Sequence, residues 1–162
     1  MDKMIKVQFR GKDNRTEITY GTSNWTGSVC RISRSFLIEQ KTSIEDSSGI
    51  FILIGAENTD GKCHLYVGES EQIVRFLKES LDDDPCWEEA LTFTRPGNPL
   101  SYAEIKSIRE KLVEELNRGN TVVTVVGNTT SGPIREEEEC DAMEYFRICQ
   151  MILRSVFPLY LS

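Results

Sequence analysis

The segment Gly49-Ile50-Phe51-Ile52-Leu53-Ile54-Gly55 constrains the fold of this chain more than any other. Its five central residues are apolar without interruption, and three of them are β-branched, so it reads as a strand. Side chains along a strand alternate between the two faces of its sheet, so a run with no polar residue must be covered on both faces. That demands a central strand with further structure packed above and below it. Five apolar residues also fall far short of the roughly 18 to 20 that cross a bilayer, and no longer apolar stretch occurs. Membrane association is not expected.

The rest of the pattern supplies the layers. Residues 63–68 read as a second strand, and the connection between the two contains Asp60-Gly61, so the pair is expected to form a β-hairpin. A helix should follow, capped by Ser70, with Ile73, Val74, Leu77 and Leu81 on one stripe. Residues 87–94 offer another strand. The best-marked helix begins at Ser101, where Ser101 and Glu104 form a capping box and Leu100 and Ile105 a hydrophobic staple; Ile105, Ile108, Leu112 and Leu116 recur at helical spacing, and Gly119 ends it. A β-branched run over residues 121–126 precedes a loop at 127–133. A last helix is expected from near Arg135 to about Phe157, with Ala142, Tyr145, Cys149, Ile152 and Val156 on one face. Its first turn, Glu136 to Glu139, reads as a solvated acidic start that suits the positive end of the helix dipole.

Before all this, residues 5–9 alternate apolar and polar, Arg10 to Asn14 supply turn chemistry, and residues 16–20 and 27–32 are further strand candidates; residues 33–38 fit a helical turn or a strand equally well. The polar stretch ending in Ser47-Ser48 suggests a boundary. We therefore expect an N-terminal β-rich segment, residues 1–48, packed on a main domain, residues 49–162. The fold class is α/β of the α+β kind, with a small, mostly antiparallel central sheet flanked by helices. A chain of 162 residues with 39% hydrophobic and 28% charged content suits one folded unit and excludes intrinsic disorder.

Charge narrows the partners. Nineteen Lys and Arg face 26 Asp and Glu, a net charge of −7, and residues 1–48 hold 8 basic and 6 acidic residues while the remainder holds 11 and 20. Nucleic-acid affinity rests mainly on basic groups that neutralise phosphates, and no basic run occurs. The five cysteines include no Cys-x-x-Cys pair, so neither a disulfide framework nor a zinc site is suggested. With no apolar signal core near the N-terminus, the expected location is cytoplasmic.

Taken in order, Gly49-Ile50-Phe51, Tyr66-Val67-Gly68-Glu69-Ser70, the helix after them, Trp87 to Thr94, Ala103-Glu104-Ile105-Lys106 and Gly127-Asn128 resemble the GIY-YIG nuclease family. The chain also looks like a bacterial subgroup in which a segment similar to Asn24-Trp25-Thr26-Gly27 precedes the first motif. The resemblance implies a shallow cleft in which water attacks a phosphodiester. Motif tyrosines, a helical arginine and a glutamate-bound divalent metal serve there as base, charge stabiliser and Lewis acid. The same resemblance puts Phe51 where the first tyrosine belongs and Phe76 where the arginine belongs, with Arg75 one position earlier. Arg109 falls at the metal-binding glutamate, beside Glu110. Tyr66 and Gly68 match. Tyr66 and Arg75 are thus the candidate catalytic residues, Glu110 the candidate metal ligand, and Gly68, Glu69, Lys78, Arg109 and Asn128 the candidate lining of a cleft.

Two functions follow from this. The first is a member of the superfamily with a degenerate catalytic site, acting as a binding or interaction module for a protein partner or, in the old cleft, for nucleic acid. The second is an active endonuclease using Mg²⁺ or Mn²⁺, with Arg75 and Glu110 or Glu104 standing in for the displaced groups. A third option is a scaffold protein whose cleft is filled by Phe51 and Phe76.

Overall fold

The computed structural model describes residues 4–55, 63–82, 87–119, 121–126 and 134–157. Two strands, β1 (Ile5–Lys12) and β2 (Arg15–Thr22), form an antiparallel hairpin closed by Asp13 and Asn14. Asp13 adopts the left-handed backbone (φ 56°) that short polar residues tolerate, and Gly11 (φ +92°) lies where any side chain would run into the Arg15 carbonyl. Strand β3 (Ser28–Ser33) leads into a short helix, α1 (Arg34–Glu39), whose N-terminus is capped by the Ser33 hydroxyl accepting from the Phe36 N–H. The undecided segment 33–38 is thus mostly helical, because Ser33 supplies an N-cap at its start.

The hairpin expected at residues 49–68 is present as β4 (Gly49–Gly55) and β5 (Cys63–Ser70). Helix α2 (Ile73–Glu79), strand β6 (Trp87–Thr94), helix α3 (Tyr102–Asn117), strand β7 (Thr121–Val125) and helix α4 (Glu136–Val156) follow. The seven strands make one sheet in the order β1-β2-β3-β6-β4-β5-β7; every neighbouring pair is antiparallel except β5 and β7, which run parallel. The fold class is α+β, as the strand and helix pattern implies. In-register pairing of β3 with β6, from Ser28 opposite Thr94 to Ser33 opposite Glu89, runs one sheet through both the 1–48 and the 49–162 segments.

Strand β4 explains why its sequence never alternates. Ile50, Ile52 and Ile54 enter a core with Leu65, Val67, Leu91, Phe93 and the inner faces of α3 and α4. Phe51 and Leu53 enter a second core on the other face, with Phe36 of α1, Ile73 and Leu77 of α2, and Trp87. All five residues are at most 8% exposed, so each face of the strand contributes its own hydrophobic layer.

Longer-range contacts replace one local expectation and add to others. Ser70 does not cap α2: its hydroxyl closes a turn with Gln72, and the Val74 and Arg75 N–H groups are accepted instead by Asp46 Oδ1 (2.9 and 3.2 Å) from the α1–β4 connection. The same connection is anchored at Thr42 and Ser43. The fully buried Glu17 carboxylate of β2 accepts from Thr42 Oγ1 (2.7 Å), from the Ser43 N–H (3.1 Å) and from the Ser43 hydroxyl. Two of the four carboxylates at the start of α4 are partly exposed and also tied to α3: Glu138 accepts from Ser101 Oγ (2.9 Å), and Glu139 from Ser107 Oγ (3.0 Å) and Lys111 Nζ (2.8 Å). The α3 capping box and the burial of Leu100 and Ile105 are present as expected. Among the described residues, no helix is long and apolar enough to cross a membrane.

Candidate functional site

The β4–β5 hairpin sets which candidate residues can meet. Phe51 lies opposite Gly68 and Leu53 opposite Tyr66, while Ile50 lies opposite Glu69. Directly opposed residues share a face, so Phe51, Tyr66 and Gly68 belong to the α2 side and Glu69 to the α3 side. The candidates therefore divide between two faces of the sheet and do not converge in one cleft.

On the α2 side, Phe51 is 1% exposed, and its ring stacks on Phe76 at 4.2 Å between centroids with 19° between planes. A Cβ added to Gly68 would sit 2.5 Å from Phe51 Cζ, so the glycine is the platform that lets the ring tip in. Tyr66 is half-buried against this cluster. Arg75 is on the outer surface of α2, where it donates to Glu79 Oε1 (3.1 Å) and Gln72 Oε1 (3.3 Å); Lys78 is exposed as well. The structure thus leaves Phe51 and Phe76 together and directs Arg75 toward a helical neighbour rather than toward Tyr66.

On the α3 side, Arg109 is a buried arginine. Its side chain is 5% exposed, and its Nη1 lies 3.9 Å from Glu69 Oε2; neither atom has a hydrogen-bond partner among the described residues. A buried guanidinium is costly unless an anion lies beside it, and Glu69 is that anion. A hollow of about 390 Å³ opens beside Glu69, bordered also by Ser48, Glu71 and Tyr102.

A divalent metal does not fit this donor set. Arg109 puts positive charge at the position in question, and Glu110, the next residue, is exposed, about 100° around the helix. Glu104 is buried but committed. It accepts from Arg95 Nη1 and Nη2 at 2.8 Å each and from the Ser101 N–H at 3.0 Å. Burial alone would raise its pKa, yet the Arg95 and Ser101 hydrogen bonds outweigh that and hold it below the usual carboxylate range. Among the described residues, no three His, Cys, Asp or Glu side chains are grouped to hold a metal. Asn128 lies outside the described residues.

The Asn24-Trp25-Thr26-Gly27 segment acts in packing. Trp25 lies against Tyr145 of α4 (5.1 Å between ring centroids), a Cβ on Gly27 would collide with both rings, and the Tyr145 hydroxyl donates to the Thr94 carbonyl (2.8 Å). The alternation expected over residues 5–9 extends to Lys12, because Arg10 to Lys12 pair with β2 and only Asp13 and Asn14 turn; Lys6, Arg10 and Lys12 thus alternate with Ile5, Val7 and Phe9, which divides charge from apolar surface along β1. Compared with protein-family models, with curated proteins and with solved structures, the chain matched none.

Proposed function

We propose that this chain is a non-catalytic binding module built on a GIY-YIG-nuclease-like scaffold. The observation that carries the reading is the stack of buried Phe51 on half-buried Phe76 over Gly68, which occupies with hydrocarbon the two positions where the resemblance calls for a phenol and an arginine. A phenyl ring neither donates nor accepts a proton, and it cannot stabilise phosphate charge. The third position holds Arg109, buried beside Glu69, in place of a metal-binding carboxylate. Base, charge stabiliser and metal ligand act as a unit, so the loss of all three removes nearly all catalysis.

A protein is the partner that best suits a chain of net charge −7 with no basic run. The free thiols of Cys30, Cys140 and Cys149 support work in a reducing compartment, and we place the module in the cytoplasm.

The test is calorimetric titration of Mg²⁺ and Mn²⁺ into the purified chain, followed by incubation with plasmid, single-stranded DNA and RNA in the same buffers. No binding heat and no cleavage are expected. Metal binding accompanied by cleavage that disappears in Tyr66→Phe would overturn the reading and establish a working nuclease.

A further inference from the structure

Strand β1 forms one edge of the sheet, and all but the first of its eight residues are exposed. An edge strand aims alternate backbone N–H and C=O groups away from its sheet, ready to pair with another strand. The two faces of β1 differ in character. Val7 and Phe9, with 55% and 58% exposure, project on the side of Ile18 and Tyr20; Lys6, Arg10 and Lys12 project on the other. Arg10 is held in place there by Glu17 (3.3 Å) and by the Phe36 ring (5.3 Å to the centroid). Beside Phe9 lies a hollow of about 730 Å³, bordered by Ile18, Ile38 and the Arg31 and Glu89 pair, large enough to take a partner's apolar side chain.

We infer that β1 receives an extended segment of a protein partner by strand addition, the segment alternating apolar residues, over Val7 and Phe9, with acidic residues, over Lys6, Arg10 and Lys12. The inference names the partner of the binding module and rests on that reading. Charge complementarity selects the occupant. A second copy of this chain, pairing β1 with β1 with faces matched, would set Lys and Arg against Lys and Arg across the strands, which is unfavourable. A nucleic-acid strand lying on either face meets the cations or Phe9, never both. A peptide added at the edge meets both faces at once, because its own side chains alternate in the same way.

The test is selection of displayed random twelve-residue peptides on the immobilised full chain, followed by fluorescence anisotropy with the enriched peptides. Enrichment of sequences alternating acidic and apolar residues is expected. Their affinity should fall about tenfold in the doubly substituted Lys6→Glu, Lys12→Glu variant, in which two opposite-charge cross-strand pairs become like-charge pairs. Peptides with lysine in place of the acidic residues should show the reverse preference. Both substitutions are at exposed positions, and circular dichroism checks that the fold is kept. The inference is overturned if no alternating peptide is enriched, if the double variant binds the enriched peptides equally well, or if an oligothymidylate displaces them at lower concentration. It is likewise overturned if sedimentation shows a dimer that Phe9→Glu dissolves, since a second copy would then hold the edge. Nuclease activity in the earlier assay would instead remove the binding-module reading, and the two failures are read on different residues.

Discussion

Gly68→Ala tests whether the glycine of the Tyr66-Val67-Gly68 motif is needed for packing or for chemistry. Its backbone is not in the left-handed region, so an alanine is not strained by conformation. The obstacle is Phe51: the new Cβ would sit 2.5 Å from Cζ and 3.1 Å from both Cε atoms of a ring that is 1% exposed and stacked on Phe76. An ordinary carbon contact is about 3.5–4 Å, so the ring must retreat by roughly 1 Å into a packed layer. Overpacking of this kind costs about 1–3 kcal/mol. The lower entropy of the unfolded alanine chain offsets about 0.4–1 kcal/mol of it. The net loss should be about 0.5–2 kcal/mol, a fall of about 2–7 °C in Tm for a chain of this size. Thermal and urea unfolding followed by circular dichroism measure it. Phe51→Leu removes the ring tip and costs stability alone through the cavity it leaves, but combined with Gly68→Ala it should recover at least about 0.5 kcal/mol relative to the sum of the single changes. Strict additivity, or a Gly68→Ala protein as stable as the parent, would refute the packing account.

The Arg109 and Glu69 pair predicts an asymmetry. Arg109→Met or Glu69→Leu alone leaves a charge in a site where the partner side chains are 18% and 5% exposed, and should cost about 3–5 kcal/mol, whereas the double substitution should cost less than either; single variants within 1 kcal/mol of the parent in urea titrations would be evidence against it. A second prediction concerns pH. Burial raises the pKa of Glu104 and Glu115, but hydrogen bonds from Arg95 and from Arg154 prevail, and the Lys111 hydrogen bond lowers that of Glu139. Carboxyls with lowered folded values contribute stability above the unfolded value of about 4.3 and lose it as pH falls through the folded values. The urea midpoint should hold steady from pH 7 to about 5 and then drop, with a shallower drop in Glu104→Gln; an unchanged slope in that variant would contradict the assignment. Thiol labelling offers a third check: exposed Cys140 should react in the native protein, while Cys30, whose pKa burial pushes up to about 12, and Cys149, pushed higher still by full burial, should react only after unfolding.

What the sequence alone determined is what neighbouring residues decide. The unbroken apolar run of β4 requires cover on both faces, whatever the covering elements are, and both covers are present. The capping box of α3 and the apolar stripes of α3 and α4 depend on residues three and four apart, so they were legible before any fold was known. Even the division of β1 into a charged and an apolar face is a period-two pattern. Tertiary structure decided which distant residues meet. Asp46 caps α2 from 28 residues upstream of Val74, displacing the local choice of Ser70 as cap, and Glu17 secures Thr42 from 25 residues away. Strand β6 inserts between β3 and β4, which turns three N-terminal strands into the continuation of the same sheet. Arg109 is buried where α3 brings it over Glu69, and Phe51 and Phe76 meet only because α2 folds back across its own hairpin. A residue's spacing states which side of an element it occupies, but the side chain that faces it comes from chain folding, where long-range packing and the partnering of buried charge outweigh local preference.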